Sequence, residues 1–107
     1  MRVLCKNTRS LTDLRIWELV DELKNIQWDI LCMSETRGSD QDVSVLGGHR
    51  LITTTMEDKY AGVAILVNTR WCKDIIYVGR ISGRVMYVDI QIAGHVYRYI
   101  CGLAKGI

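Results

Sequence analysis

Two polar residues stand where apolar runs stop. Glu35 follows Trp28-Asp29-Ile30-Leu31-Cys32-Met33-Ser34, and Asn7 follows Arg2-Val3-Leu4-Cys5-Lys6. If both runs are strands of one parallel pair, both residues sit at carboxyl ends and share a rim, the place where loops of open sheets build ligand sites. Magnesium takes oxygen ligands, retains several waters and commonly needs only one or two protein carboxylates, so Glu35 alone would make a partial metal site. A glutamate at a strand end reads equally as solvated surface or as an ion-pair partner for Arg37. Arg37 itself could meet a phosphate through two parallel hydrogen bonds. Asp40 and Asp42 are further carboxylates close in sequence, with a solvated loop as the competing reading. The two histidines, His49 and His95, are distant from Glu35 in sequence, and a lone histidine is more often surface or satisfied core than a general base.

The elements that would carry these residues follow from periodicity. Arg2 to Lys6 alternates as a short strand. Ser10 or Thr12 can cap a helix in which Ile16, Leu19, Val20, Leu23 and Ile26 recur at helical spacing, with Arg15, Glu18, Asp21, Glu22 and Lys24 on the other face. Trp28 to Ser34 is nearly continuous apolar sequence, the pattern of a strand buried on both faces. Strand, helix and strand in this order predict a βαβ unit with parallel strands. Residues 38–48 read as a loop, His49 to Thr55 as a strand, Met56 to Tyr60 as a turn and Gly62 to Val67 as a second buried strand. Thr69 to Asp74 reads as an irregular connection and Ile75 to Val78 as a short strand. Val85 to Ile92 and Val96 to Cys101 alternate around Ala93-Gly94 as a hairpin. One βαβ unit followed by mostly antiparallel strands makes an α+β protein, and a single strong helix leaves part of such a sheet uncovered.

Composition sets the bounds. The chain has 107 residues, 49% hydrophobic and 24% charged, so one domain with one core is expected. The 14 basic and 12 acidic residues are interspersed and supply no polybasic patch of the kind that marks nucleic-acid binding. Neither a signal peptide nor a membrane span is visible, which predicts a soluble, intracellular chain, nuclear or cytoplasmic. Cys5, Cys32, Cys72 and Cys101 lie far apart in apolar segments without Cys-x-x-Cys spacing, the pattern of free buried thiols in a reducing compartment.

Asn7-Thr8-Arg9-Ser10-Leu11, an amphipathic helix, and then Trp28 through Ser34 followed by Glu35-Thr36-Arg37 resemble the opening of the endonuclease/exonuclease/phosphatase superfamily. The similarity is to the branch holding apurinic endonucleases, the endonuclease domains of non-LTR retrotransposons and craniofacial-development-protein-2-like sequences. Later segments agree in order: Gly47-Gly48-His49-Arg50-Leu51, then Gly62 through Asn68 with Arg70-Trp71, then Gly83-Arg84-Val85-Met86. The resemblance implies that residues 1–107 form the N-terminal half of a four-layer α/β sandwich. It also implies that Glu35 binds magnesium or manganese and that Asn7 positions the scissile phosphate. The chemistry implied is metal-assisted hydrolysis of a DNA phosphodiester, in which the metal neutralises phosphoryl charge while a base activates water.

The sequence departs from that pattern in its later half. The family's Asp-x-Asn segment and its terminal Asp-His pair are absent from these 107 residues. Leu103-Ala104-Lys105 stands where relatives read Tyr-Ala-Pro, and Ala61-Gly62 where they read Gly-Gly. Three expectations follow: a catalytically silent piece of the enzyme family with weak metal binding, an interaction module that uses an uncovered sheet face, or an enzyme completed by a second chain. Removing members of a cooperative catalytic set is strongly non-additive, which favours the first.

Overall fold

The computed structural model describes residues 1–8, 11–34, 36, 40–54 and 62–102. Strand β1 (Val3–Asn7) leads to helix α1 (Asp13–Leu23) and strand β2 (Ile30–Ser34). Thr12 caps the helix: its side-chain oxygen accepts the Arg15 N–H at 3.3 Å, satisfying one of the donors a first helical turn leaves without an intrahelical partner. β1 and β2 are parallel, with Val3 opposite Ile30 and Asn7 opposite Ser34, so the βαβ unit is present as predicted. The helix stops at Leu23, and Ile26, expected on its apolar stripe, is exposed beyond its end.

Six more strands follow: β3 (Gln41–Val45), β4 (His49–Thr53), β5 (Val63–Val67), β6 (Ile75–Ser82), β7 (Val85–Ile92) and β8 (His95–Gly102). A 3-10 helix, Thr69–Asp74, joins β5 to β6. The strands form a five-stranded sheet in the order β1-β2-β5-β4-β3 and a three-stranded sheet in the order β6-β7-β8. Every pairing except β1 with β2 is antiparallel. The α+β class with one βαβ unit is therefore observed.

Two of the expected elements differ. Residues 41–45 form a strand where a loop was predicted, because Val43 and Val45 alternate with Asp42 and Ser44 on an edge strand that buries little. β6 also runs to Ser82, past the predicted end at Val78, with register shifts against β7 between Ile75 and Tyr77 and between Arg80 and Ser82. The predicted turn at Met56 to Tyr60 lies outside the described residues.

The first sheet is covered on both faces. Leu19, Val20 and Leu23 of α1 pack on Leu31, Met33, Leu51, Ala64 and Leu66. On the opposite face Ile30, Ile52, Val63, Ile65 and Val67 meet Met86, Val88, Ile90 and Cys101 of the second sheet. Each residue of β5 is consequently buried, which accounts for its unbroken apolar sequence. The layers run helix, sheet, sheet. Beyond the second sheet, Tyr77, Ile81, Val96 and Ile100 are exposed.

The cysteines correct the reading of four free buried thiols. Cys32 on β2 and Cys101 on β8 are joined by a disulfide that ties the two sheets together, while Cys5 is free and exposed and Cys72 is free and half-buried. Wide separation along the chain hid a pair that the stacking of the sheets brings face to face.

Candidate functional site

The parallel register fixes one rim. Asn7 and Ser34 are paired at the carboxyl ends of β1 and β2, and the chain just past each is anchored to its neighbours. The Thr8 N–H and Oγ1–H both donate to the Ser34 carbonyl, at 3.1 and 3.0 Å. The Thr36 N–H donates to the Gly62 carbonyl at 3.2 Å, and the Thr36 carbonyl accepts the Leu11 N–H at 3.0 Å. Thr36 is 1% exposed, and its Oγ1 lacks a hydrogen-bond partner among the described residues. Glu35 and Arg37, the predicted metal ligand and the weaker substrate-binding candidate, lie outside the described residues, as do Ala61 and Leu103 to Lys105.

Asn7 faces a cleft of about 240 Å³ lined by Cys5, Lys6, Cys32, Ser34 and Gly102. Side chains alternate along a strand, so Leu4, which packs toward the helix, sets Cys5 and Asn7 on the face turned to the second sheet. Cys32 and Ser34, their register partners, share that face. In the sequence Lys6 merely alternates with the apolar residues of its run, while Cys32 reads as a buried thiol and Ser34 as the residue that leads into Glu35. Of the residues lining this cleft, Asn7 and Ser34 carry side-chain oxygens, the hard donor type that magnesium takes. Among the described residues no cluster of three His, Cys, Asp or Glu side chains is placed to hold a metal.

The remaining candidates lie elsewhere. Asp42 is on β3, four strands from β1, or about 19 Å at the usual strand spacing. Its carboxylate is gripped by Arg50 Nε and Nη2 at 2.6 and 2.5 Å, and these hydrogen bonds outweigh burial to hold its pKa below the ordinary value. Asp40 adjoins the same strand. His49 opens β4 opposite Val45, at the end of the sheet away from Asn7, where its Nδ1 accepts the Thr69 N–H at 2.9 Å and its ring meets Trp28 edge-on at 4.9 Å. Burial pushes its pKa down. His95 lies at the turn between β7 and β8, the end of β8 opposite Gly102.

Several residues that carried the family resemblance prove to be structural. The Asn68 side chain donates to the Trp28 carbonyl at 2.9 Å and accepts the Arg70 N–H at 3.2 Å, capping the 3-10 helix. Trp71 Nε1–H donates to Asp29. Asp29, which drew no notice in the sequence, thus organises the rim opposite Asn7.

Comparison with protein-family models gives no match, and neither does comparison with curated proteins. No helix among the described residues is long and apolar enough to cross a membrane.

Proposed function

We propose that this chain supplies one wall of a magnesium-dependent phosphodiester-hydrolysing site of the endonuclease/exonuclease/phosphatase class, with DNA as substrate, and that this wall is catalytically silent alone. The observation that supports the reading is the parallel register that sets Asn7 beside Ser34, the residue before Glu35, at one carboxyl-end rim. In this reading Glu35 holds magnesium or manganese, Asn7 positions the phosphate and Arg37 meets a second phosphate oxygen. A bound divalent ion supplies neutralisation of phosphoryl charge. The base and its orienting partner belong to the Asp-His pair that these 107 residues do not contain. The helix, sheet, sheet layering agrees with three of the four layers of the class's sandwich, and the exposed face of the second sheet is where the fourth would lie.

That exposed face also favours a second reading, an interaction module docking through Tyr77, Ile81, Val96 and Ile100. Manganese titration followed by NMR tests the first. Weak, selective broadening of the Asn7 side-chain amide, lost in Glu35→Ala, is expected. Broadening elsewhere, or broadening indifferent to Glu35→Ala, overturns the metal site. The purified chain with magnesium should leave supercoiled and abasic-site DNA intact, and nicking that disappears in Glu35→Ala overturns the claim of silence.

A further inference from the structure

Three of the four cysteines converge beside one cleft. Cys5 and Cys32 are direct register partners on adjacent parallel strands, and Cys32 is already bonded to Cys101 of the opposing sheet. Cys5 and Cys32 both line the cleft, as does Gly102, the residue after Cys101. Adjacent strands lie about 4.7–4.9 Å apart, and a disulfide needs its Cα atoms roughly 4.4–6.8 Å apart, so Cys5 and Cys32 meet the backbone requirement for a bond of their own. Cys5 is free and exposed, so its sulfur is open to solvent beside an existing disulfide.

We propose that Cys5, Cys32 and Cys101 form a thiol–disulfide exchange site in which Cys5 moves the bond from the pair Cys32–Cys101 to the pair Cys5–Cys32. The Cys5 thiol gives up its proton to solvent, and its thiolate attacks Sγ of Cys32. The new sulfur–sulfur bond forms as the bond to Cys101 breaks. The departing electron pair stays on Cys101 Sγ, which takes a proton from solvent. One disulfide and one thiol stand on each side of the reaction, so no oxidant or reductant is consumed. The free Cys101 thiol has hydrogen-bond acceptors in place, since its sulfur lies 3.7 Å from the Met33 carbonyl oxygen and 3.6 Å from that of Ala64.

The two states differ in what they hold together. With Cys32 bonded to Cys101 the two sheets are cross-linked; with Cys32 bonded to Cys5 the link lies wholly within the first sheet, next to the Asn7 and Ser34 pair. Exchange therefore releases the end of β8 from β2 and reshapes the wall of the cleft. This holds whether or not the cleft serves phosphodiester chemistry. Cys72 is an internal control, because its sulfur lies within hydrogen-bonding reach of the Val67 and Asn68 carbonyls at the far end of β5.

Trypsin places the four cysteines on separate peptides, residues 3–6, 25–37, 71–73 and 99–105, so non-reducing peptide mapping reads the bonding pattern directly. The native chain is held without reductant at pH 6 and pH 8.5, quenched in acid, alkylated and digested. At pH 8.5 the linked pair 3–6 with 25–37, and alkylated 99–105, should appear in about a tenth of chains or more, independent of protein concentration. Cys5→Ser keeps the bond between the sheets and should abolish alkylation of 99–105. Detection only of 25–37 linked to 99–105 at both pH values overturns the proposal. Alkylation of 99–105 that persists in Cys5→Ser, or conversion that rises with protein concentration, overturns it as well.

Discussion

The indole Nε1–H of Trp71 donates to one oxygen of the Asp29 carboxylate at 2.7 Å, while the Arg2 N–H donates to the other at 2.6 Å. One side chain so joins the start of β1, the start of β2 and the 3-10 helix, and Arg70 adds a charge at 3.8 Å. Burial by itself would raise the Asp29 pKa; the two hydrogen bonds, with the charges of Arg70 and the N-terminus, outweigh it and hold the carboxyl below its ordinary value.

Asp29→Asn should therefore destabilise the fold by about 1.5–3 kcal/mol, the range for hydrogen bonds to a charged group. The sign with pH follows from the lowered pKa. The carboxylate's contribution is complete above its unfolded value of about 3.9 and is lost as pH falls through the lower folded value. Urea unfolding from pH 3 to pH 7 should show the gap between wild type and variant narrowing only at the acid end.

Thr54 makes the corresponding junction at the other end of the sheets. Its buried Oγ1 accepts the Val63 N–H at 3.0 Å and stands 3.2 Å from the carbonyl oxygens of Val63 and Gly83, the latter in the turn between β6 and β7. Thr54→Val preserves shape but removes the acceptor, leaving the Val63 N–H buried without it. The expected cost is about 1–3 kcal/mol, seen as a lower denaturation midpoint at unchanged slope. Thr54→Ser should recover most of it.

How far these junctions could be read from sequence depends on how local their cause is. The helix and its Thr12 cap, the parallel pair and the hairpin turning at Ala93 and Gly94 were legible because each rests on spacing within a few residues. Both turn residues take positive φ, 51° and 81°, as a tight hairpin of this kind requires. β3 escaped because an edge strand with two apolar residues carries almost no periodic signal. Asp29 escaped because its partners are 27 and 42 residues away in sequence, brought near only when the sheets assemble. The pairing of Cys32 with Cys101 escaped for the same reason. The rim at Asn7 was legible since strand direction follows from the βαβ order alone.

His49 should act as a small acid-side destabiliser. Its Nδ1 must stay unprotonated to accept the Thr69 N–H, and burial lowers its pKa. The unfolded chain binds a proton near pH 6.5 that the folded chain refuses, so stability is unaffected above about 6.5 and falls as pH drops below it toward the folded value. NMR titration of the ring should give a midpoint below 6.5. In His49→Asn the stability slope between pH 5 and pH 7 should flatten.

The disulfide between Cys32 and Cys101 spans 69 residues of chain, long enough that its removal acts chiefly on the unfolded state. By loop-closure entropy a link of this span contributes roughly 4 kcal/mol, a figure that native packing can reduce. Because the apolar contacts between the sheets, led by Ile65, Val67, Val88 and Ile90, survive reduction, the fold should persist but melt lower by about 10 °C or more in a reductant. Thermal unfolding with and without phosphine reductant measures this. Cys32→Ser should give the lower value in both conditions, since neither the link to Cys101 nor a bond to Cys5 can form, whereas Cys72→Ser should leave the difference intact. A melting temperature indifferent to reductant in the wild type would mean that the packing between β5 and β7 alone sets the stability of the sandwich.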